Sequence, residues 1–132
     1  MKDRKTPAPN VVSKSGQAIV EFLGQLGQTA NVYEKCGVTQ YGESVLVSVG
    51  RDYRQKGLAL ELYKRSTVLL RSCGLTHLKC IFSSPYTRRN GEKLGFEELS
   101  RKKLIDFTGA DGKKLFPSAG EDEVATLGVL KL

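Results

Sequence analysis

The stretch that decides the reading runs Val45-Leu46-Val47-Ser48-Val49-Gly50-Arg51-Asp52-Tyr53-Arg54-Gln55-Lys56-Gly57-Leu58-Ala59-Leu60-Glu61-Leu62-Tyr63-Lys64-Arg65-Ser66. Its first five residues are mostly β-branched and uncharged, as a buried strand requires. Gly50 to Lys56 is polar and basic. After Gly57 the hydrophobic period changes from two to about 3.6. Ala59, Leu62, Tyr63, Ser66, Leu69, Leu70 and Cys73 are expected on one helical face, with Gly74 as the stop.

A buried strand that feeds a helix through such a junction makes an anion site. The first N–H groups of a helix lack partners and carry about half a positive charge. Gly57 lets the backbone approach a phosphate with no Cβ in the way. Ala59 is small enough for the helix to come close, Arg54 and Lys56 add charge, and Arg54 can grip a phosphate through two N–H donors. Gln55 and Leu58 complete the loop. An ordinary helix start with a glycine in its first turn would look the same, so this stretch alone does not identify a ligand.

Working outward, Leu78 to Phe82 reads as a second short apolar strand. Ser84-Pro85 opens another helix, with Pro85 suited to the first turn, running to about Lys93 and stopped by Gly95. Phe96 to Phe107 is strand-like, Gly109-Ala110-Asp111-Gly112 signals a hairpin, and Val124 to Leu130 closes as a last strand. Upstream, Ile19, Phe22, Leu23, Leu26 and Ala30 predict a helix over 16–33, capped by Ser15 and weakened by Gly24 and Gly27. Gly37 and Gly42 bracket a turn. Residues 1–14, with Pro7 and Pro9, read as a disordered basic tail, and 15–132 as one domain. The fold class is α/β, a mixed α+β sheet, and the strands flanking the long helix should be parallel neighbours.

Two motifs at this spacing resemble the GCN5-related N-acetyltransferase superfamily. Its pattern Gln/Arg-x-x-Gly-x-Gly/Ala is met by Arg54, Gly57 and Ala59, and Glu92-Lys93-Leu94-Gly95-Phe96 is similar to the box that ends its later helix. The stretch Phe82-Ser83-Ser84-Pro85-Tyr86-Thr87 resembles the arylalkylamine (dopamine) N-acetyltransferases of insects. The resemblance covers roughly 15–132, with specific motifs only from Val45 to Phe96.

The resemblance implies an acyl-CoA N-acyltransferase-like fold, acetyl-CoA as cosubstrate, and acetyl transfer to a small primary amine such as an arylalkylamine. The pyrophosphate would lie on Arg54 to Ala59. The pantetheine arm would lie along Val47, Ser48 and Val49, with the Val49 N–H as oxyanion donor. Ser83 is the expected hydrogen-bond donor to the leaving thiolate, with Tyr86 second. Thr87 is the other hydroxyl of the active-site stretch. Helix capping accounts equally well for Ser83 and Thr87.

The family places strands and helices ahead of the phosphate-loop strand. Here about forty residues precede Val45, so the fold is expected to be truncated at the N-terminus. The family's early glutamate has no match, although Glu21 and Glu34 are available. Val45–Val49 would then be an exposed apolar edge that invites self-association. A protein of the same fold that binds coenzyme A without catalysis is the alternative.

The remaining features narrow the class. The net charge of +7 comes from scattered pairs such as Arg88-Arg89, Lys102-Lys103 and Lys113-Lys114. It can serve a phosphorylated ligand, and no nucleic-acid motif accompanies it, so no nucleic-acid partner is expected. No run reaches the ~20 apolar residues of a membrane span, and residues 1–10 do not read as a secretory signal. Three cysteines, Cys36, Cys73 and Cys80, without a Cys-x-x-Cys spacing, argue against disulfides and a metal site. A cytoplasmic location is expected. The lone His77 is expected to pack or face solvent.

Overall fold

Ser13 opens the first helix: its hydroxyl accepts from the Gly16 N–H at 3.1 Å. The computed structural model describes residues 13–132. Most of the expected tail, 1–14, therefore lies outside the described residues, while Ser13 and Lys14 belong to the cap and first turn of a helix. The cap is Ser13 rather than Ser15. The expected single helix over 16–33 is two: α1, Lys14–Gln28, and α2, Val32–Cys36. The break has a local cause. The Thr29 hydroxyl and N–H both turn back to the Leu26 carbonyl, and Asn31 then caps α2 by accepting from the Glu34 N–H.

Four strands follow the two helices: β1, Gly42–Ser44; β2, His77–Phe82; β3, Glu97–Lys103; and β4, Val124–Lys131. They form one sheet in the order β1-β2-β4-β3. Helix α3, Leu58–Ser72, joins β1 to β2, which are parallel as the crossover predicts, and α4, Pro85–Leu94, joins β2 to β3. The sheet is mixed, since β4 runs antiparallel to both β2 and β3. Residues Leu104–Asp106, expected to continue β3, instead form a 3₁₀ turn. The Thr108–Lys114 bridge closes the hairpin around Gly112, which takes the left-handed φ of 78°.

The strand expected at Val45–Val49 is displaced. Gly42, read as part of a turn, starts the paired segment, which ends at Ser44 opposite Cys80. Val45 and Leu46 are 76% and 84% exposed. β2 continues to Phe82 against β4, so β1 leaves the sheet before β2 does.

Two cores sit on opposite faces of the sheet, as strand alternation requires. On one face Phe22 and Leu26 of α1 pack on Ala125, Leu127 and Val129 of β4 and on Phe107. Phe22 meets the Phe107 and Phe116 rings edge-on. On the other face Tyr63 of α3 packs with Cys80 and Phe82 of β2, joined by Val47, Leu94 and Phe96. Each fully buried side chain of this size contributes about 1.5–3 kcal/mol. The buried face of α3 is narrower than its spacing predicts. Tyr63 and Thr67 are buried and Ala59 and Leu70 partly so, whereas Leu62 and Leu69 stay 47% and 64% exposed and Ser66 and Cys73 are exposed. Their flank has no covering element among the described residues.

Candidate functional site

Three segments meet at one end of the parallel pair. Val45–Val49 continues from the last paired residue of β1, Ser83 follows the last residue of β2, and α3 begins at that same end because it returns against the strands. Parting begins after the Ser44–Cys80 pair. Beneath that point lies a buried polar contact that the sequence did not announce. Tyr63 Oη and Cys80 Sγ are hydrogen-bonded at 3.5 Å, and burial pushes both groups' pKa upward.

Past Val49 the chain makes a 3₁₀ turn, Arg51–Tyr53. Arg54 donates from Nε to the Val49 carbonyl at 3.1 Å, which ties the turn to the end of the apolar segment. Gln55 then adopts a left-handed φ of 62°, an uncommon conformation for a residue other than glycine, and Gly57 takes 73°. The two reversals bring the chain into α3, where the Gly57 carbonyl accepts the first helical bond from Glu61. Lys56 stands with Nζ 5.9 Å from the centre of the Tyr53 ring.

This junction fits a phosphate group. A Cβ built on Gly57 would meet no atom within 4 Å, so the helix entrance is open on that side. The first N–H groups of α3 have no intrahelical acceptor and point outward from a 15-residue helix. Residues 51–58 are all exposed, so Arg51, Arg54 and Lys56, which precede the entrance in the chain, lie in solvent. Among the described residues no backbone hydrogen bond closes on the N–H of Ser48 or Val49. Val47 turns its side chain into the Tyr63–Phe82 core, so only its backbone is offered to a ligand.

The hydroxyl residues divide. Ser84, not Ser83, caps α4. Its Oγ accepts from the Thr87 N–H at 3.3 Å, and the Ser84 N–H donates back to Thr87 Oγ1. The Thr87 hydroxyl also bonds the Ser84 carbonyl at 3.0 Å, so Thr87 is engaged in the cap. Ser83 lies exposed just beyond β2. Tyr86 is 77% exposed, with the Arg89 guanidinium 5.9 Å from its ring centre.

The two early acids sit elsewhere. Glu21 is on α1, with a buried Oε2 beside Gly109, and Glu34 is in α2. A surface hollow of about 370 Å³ around Tyr33, Gly37 and Thr39 also lies away from the junction. His77 opens β2 with its Nδ1 2.8 Å from the Thr76 hydroxyl. Among the described residues no group of three His, Cys, Asp or Glu side chains could hold a metal, and no helix is long and apolar enough to cross a membrane. The three cysteines are free thiols.

No protein-family model matches the chain, and no curated protein matches it in sequence. Solved structures do match. A mosquito arylalkylamine N-acetyltransferase-like 5b superposes with a TM-score of 0.83 at 26% identity, over 95% of this chain and 59% of that one. The Drosophila melanogaster polyamine N-acetyltransferase, which forms N-acetylagmatine, gives 0.77 at 19% identity over 87% and 55%. A GNAT family acetyltransferase from Elizabethkingia anophelis with acetyl-CoA bound gives 0.52 at 14% identity over 72% and 64%. The chain thus has the GNAT acyltransferase fold and spans about three-fifths of the length of the mosquito protein it matches. The fold implied by the two sequence motifs is the one observed.

Proposed function

We propose that this chain is the acetyl-CoA-binding part of an N-acetyltransferase acting on a small primary amine. The observation that carries this reading is the junction itself. Two parallel strands part after Ser44 and Cys80, and a left-handed Gln55 and Gly57 lead into an open helix start preceded by the exposed Arg51, Arg54 and Lys56. The mosquito and Elizabethkingia neighbours support it.

In this reading acetyl-CoA supplies the activated thioester, and the chain binds and orients it. The α3 N–H groups and Arg54 hold the pyrophosphate, with Gln55, Lys56, Gly57, Leu58 and Ala59 lining the turn. The backbone of Val47, Ser48 and Val49 holds the pantetheine arm. The Val49 N–H donates to the carbonyl oxygen as the amine attacks: the C–N bond forms, the C–S bond breaks, and the amine proton passes to water or a base. Ser83 is free to donate a hydrogen bond to the departing sulfur, with Tyr86 as the second donor. Thr87 acts by holding the Ser84 turn that places Ser83.

The amine class follows the neighbours' names: an arylalkylamine, with a polyamine-like amine next. A cytoplasmic location belongs to the same reading. The alternative is coenzyme A binding without turnover. Calorimetric titration with acetyl-CoA tests the reading. Saturable binding lost in Gly57→Glu is expected, and a folded chain that does not bind would refute it. Turnover with an amine panel separates enzyme from binder.

A further inference from the structure

The pairing of β1 with β2 is short, and side chains fasten it from both faces of the sheet. Three pairs form: Gly42 with Leu78, Glu43 with Lys79, and Ser44 with Cys80. Beyond them Ile81 and Phe82 pair with β4 alone. On the face toward α1, the Glu43–Lys79 pair is joined by an ion pair, Nζ to Oε1 at 3.4 Å. Lys79 is buried there, with Nζ 5.9 Å from the centre of the Tyr41 ring. On the face toward α3, the last pair, Ser44–Cys80, meets Tyr63. Its Oη shares a hydrogen bond with Cys80 Sγ. Burial raises the pKa of both groups, and the Ser44 hydroxyl, a hydrogen-bonding neighbour of each, opposes the rise. One tyrosine hydroxyl thus links both strands at the pair where they part.

We propose that Tyr63 is a positioning residue: with the Glu43–Lys79 ion pair on the other face, it fixes the register of β1 and so the reach of Val47–Val49 relative to Ser83. Packing does not call for the hydroxyl. The ring lies edge-on to Phe96, centroids 6.4 Å apart, and a phenylalanine would fill the same space. At 5% exposure Tyr63 acts through the strands and not on a ligand. An edge strand with three pairs has little backbone to hold it. A slip of one residue would shift the segment by about 3.3 Å and turn each side chain to the opposite face. A misplacement of about 1 Å can cost about a hundredfold in rate. The inference rests on the reading of the junction as an acetyl-CoA site.

Two measurements on the full chain test it. The first is amide hydrogen exchange without ligand. Tyr63→Phe should speed exchange at the β1 amides, 42–44, by about three- to tenfold, the range expected for one net hydrogen bond, while the β3–β4 amides hold. Lys79→Met should act at the same amides from the other face. Thr67→Val is the control. Thr67 is buried on α3, but its hydroxyl bonds the Lys64 carbonyl, so the variant should lose stability without loosening β1. The second measurement is calorimetric titration with acetyl-CoA, where Tyr63→Phe should lose affinity and Thr67→Val should not. Exchange at β1 no faster in Tyr63→Phe than in Thr67→Val would overturn the proposal. So would a loosened β1 that binds acetyl-CoA as tightly as the parent. A folded parent that binds no acetyl-CoA would instead overturn the cofactor reading, and exchange would still decide whether Tyr63 holds the strands.

Discussion

Arg54 reaches back across the turn to the carbonyl of Val49, with Nε 3.1 Å from the oxygen. The bond couples the end of the apolar segment to the start of α3. The remaining guanidinium N–H groups stay available to an anion. Arg54 is thus both a staple of the loop and part of the proposed phosphate grip. Arg54→Lys keeps the charge but loses the fork. Acetyl-CoA affinity should fall at least about tenfold, in line with about 1.5–3 kcal/mol for a charged hydrogen bond. Calorimetry on Arg54→Lys and Gly57→Glu checks this, and parental affinity in either folded variant would remove the loop from the binding site.

Ser83 and Thr87 should separate in a paired experiment. Thr87→Val removes a capping partner, so the melting temperature should drop by the equivalent of about 1 kcal/mol. Ser83→Ala touches an exposed residue outside the cap and should change stability by less than about 0.5 kcal/mol. If the chain turns over, Ser83→Ala should lower kcat while acetyl-CoA affinity holds. Equal kcat in parent and variant would exclude Ser83 from the chemistry.

Gly91 is where α4 lies close against the sheet. A Cβ there would stand 2.5 Å from Cζ of Phe82, whose ring is 3% exposed and packs edge-on against Phe96 at 5.2 Å. Gly91→Ala would ordinarily favour a helix, by up to about 1 kcal/mol. Here overpacking should win, for a net loss of about 1–2 kcal/mol. Urea unfolding decides the sign, and a stabilised variant would show that the ring has room to move.

Stability should decline in alkali. Burial pushes the Tyr41 hydroxyl from 10 up to about 12. Between these values the unfolded chain releases the proton and the folded chain keeps it. The contribution is therefore intact below pH 10 and is lost as pH rises toward 12. Tyr63 and Cys80 are shifted the same way, chiefly by burial, and add to the slope. Melting curves from pH 9 to 11.5 should show the decline, and Tyr41→Phe should flatten it. An unchanged slope in that variant would contradict the assignment.

Much of this was legible in advance because it is local. The period change at Gly57, the stops at Gly74 and Gly95, the Ser84-Pro85 start and the apolar run to Phe82 each depend on a few neighbouring residues. The elements fall where those residues put them. The break between α1 and α2 was local too, since Thr29 and Asn31 are cap formers, but the apolar spacing through Ala30 masked it.

Pairing and coverage are a different matter, because they depend on what stands opposite a residue. Val45–Val49 has the composition of a buried strand, yet β1 parts from β2 after Ser44 and leaves Val45 and Leu46 in solvent. Composition states that a segment is fit for burial; only the fold supplies the neighbour that buries it. Leu62 and Leu69 repeat the lesson on α3, as does Thr87, whose hydroxyl the Ser84 turn claims. The sequence by itself determined the order of elements from the first strand onward and the position of the glycine turn into α3, through short-range backbone preference and hydrophobic period. The tertiary structure decided where the strands part, which hydroxyl is free and which apolar face remains open, because those are properties of contacts between residues distant in the chain.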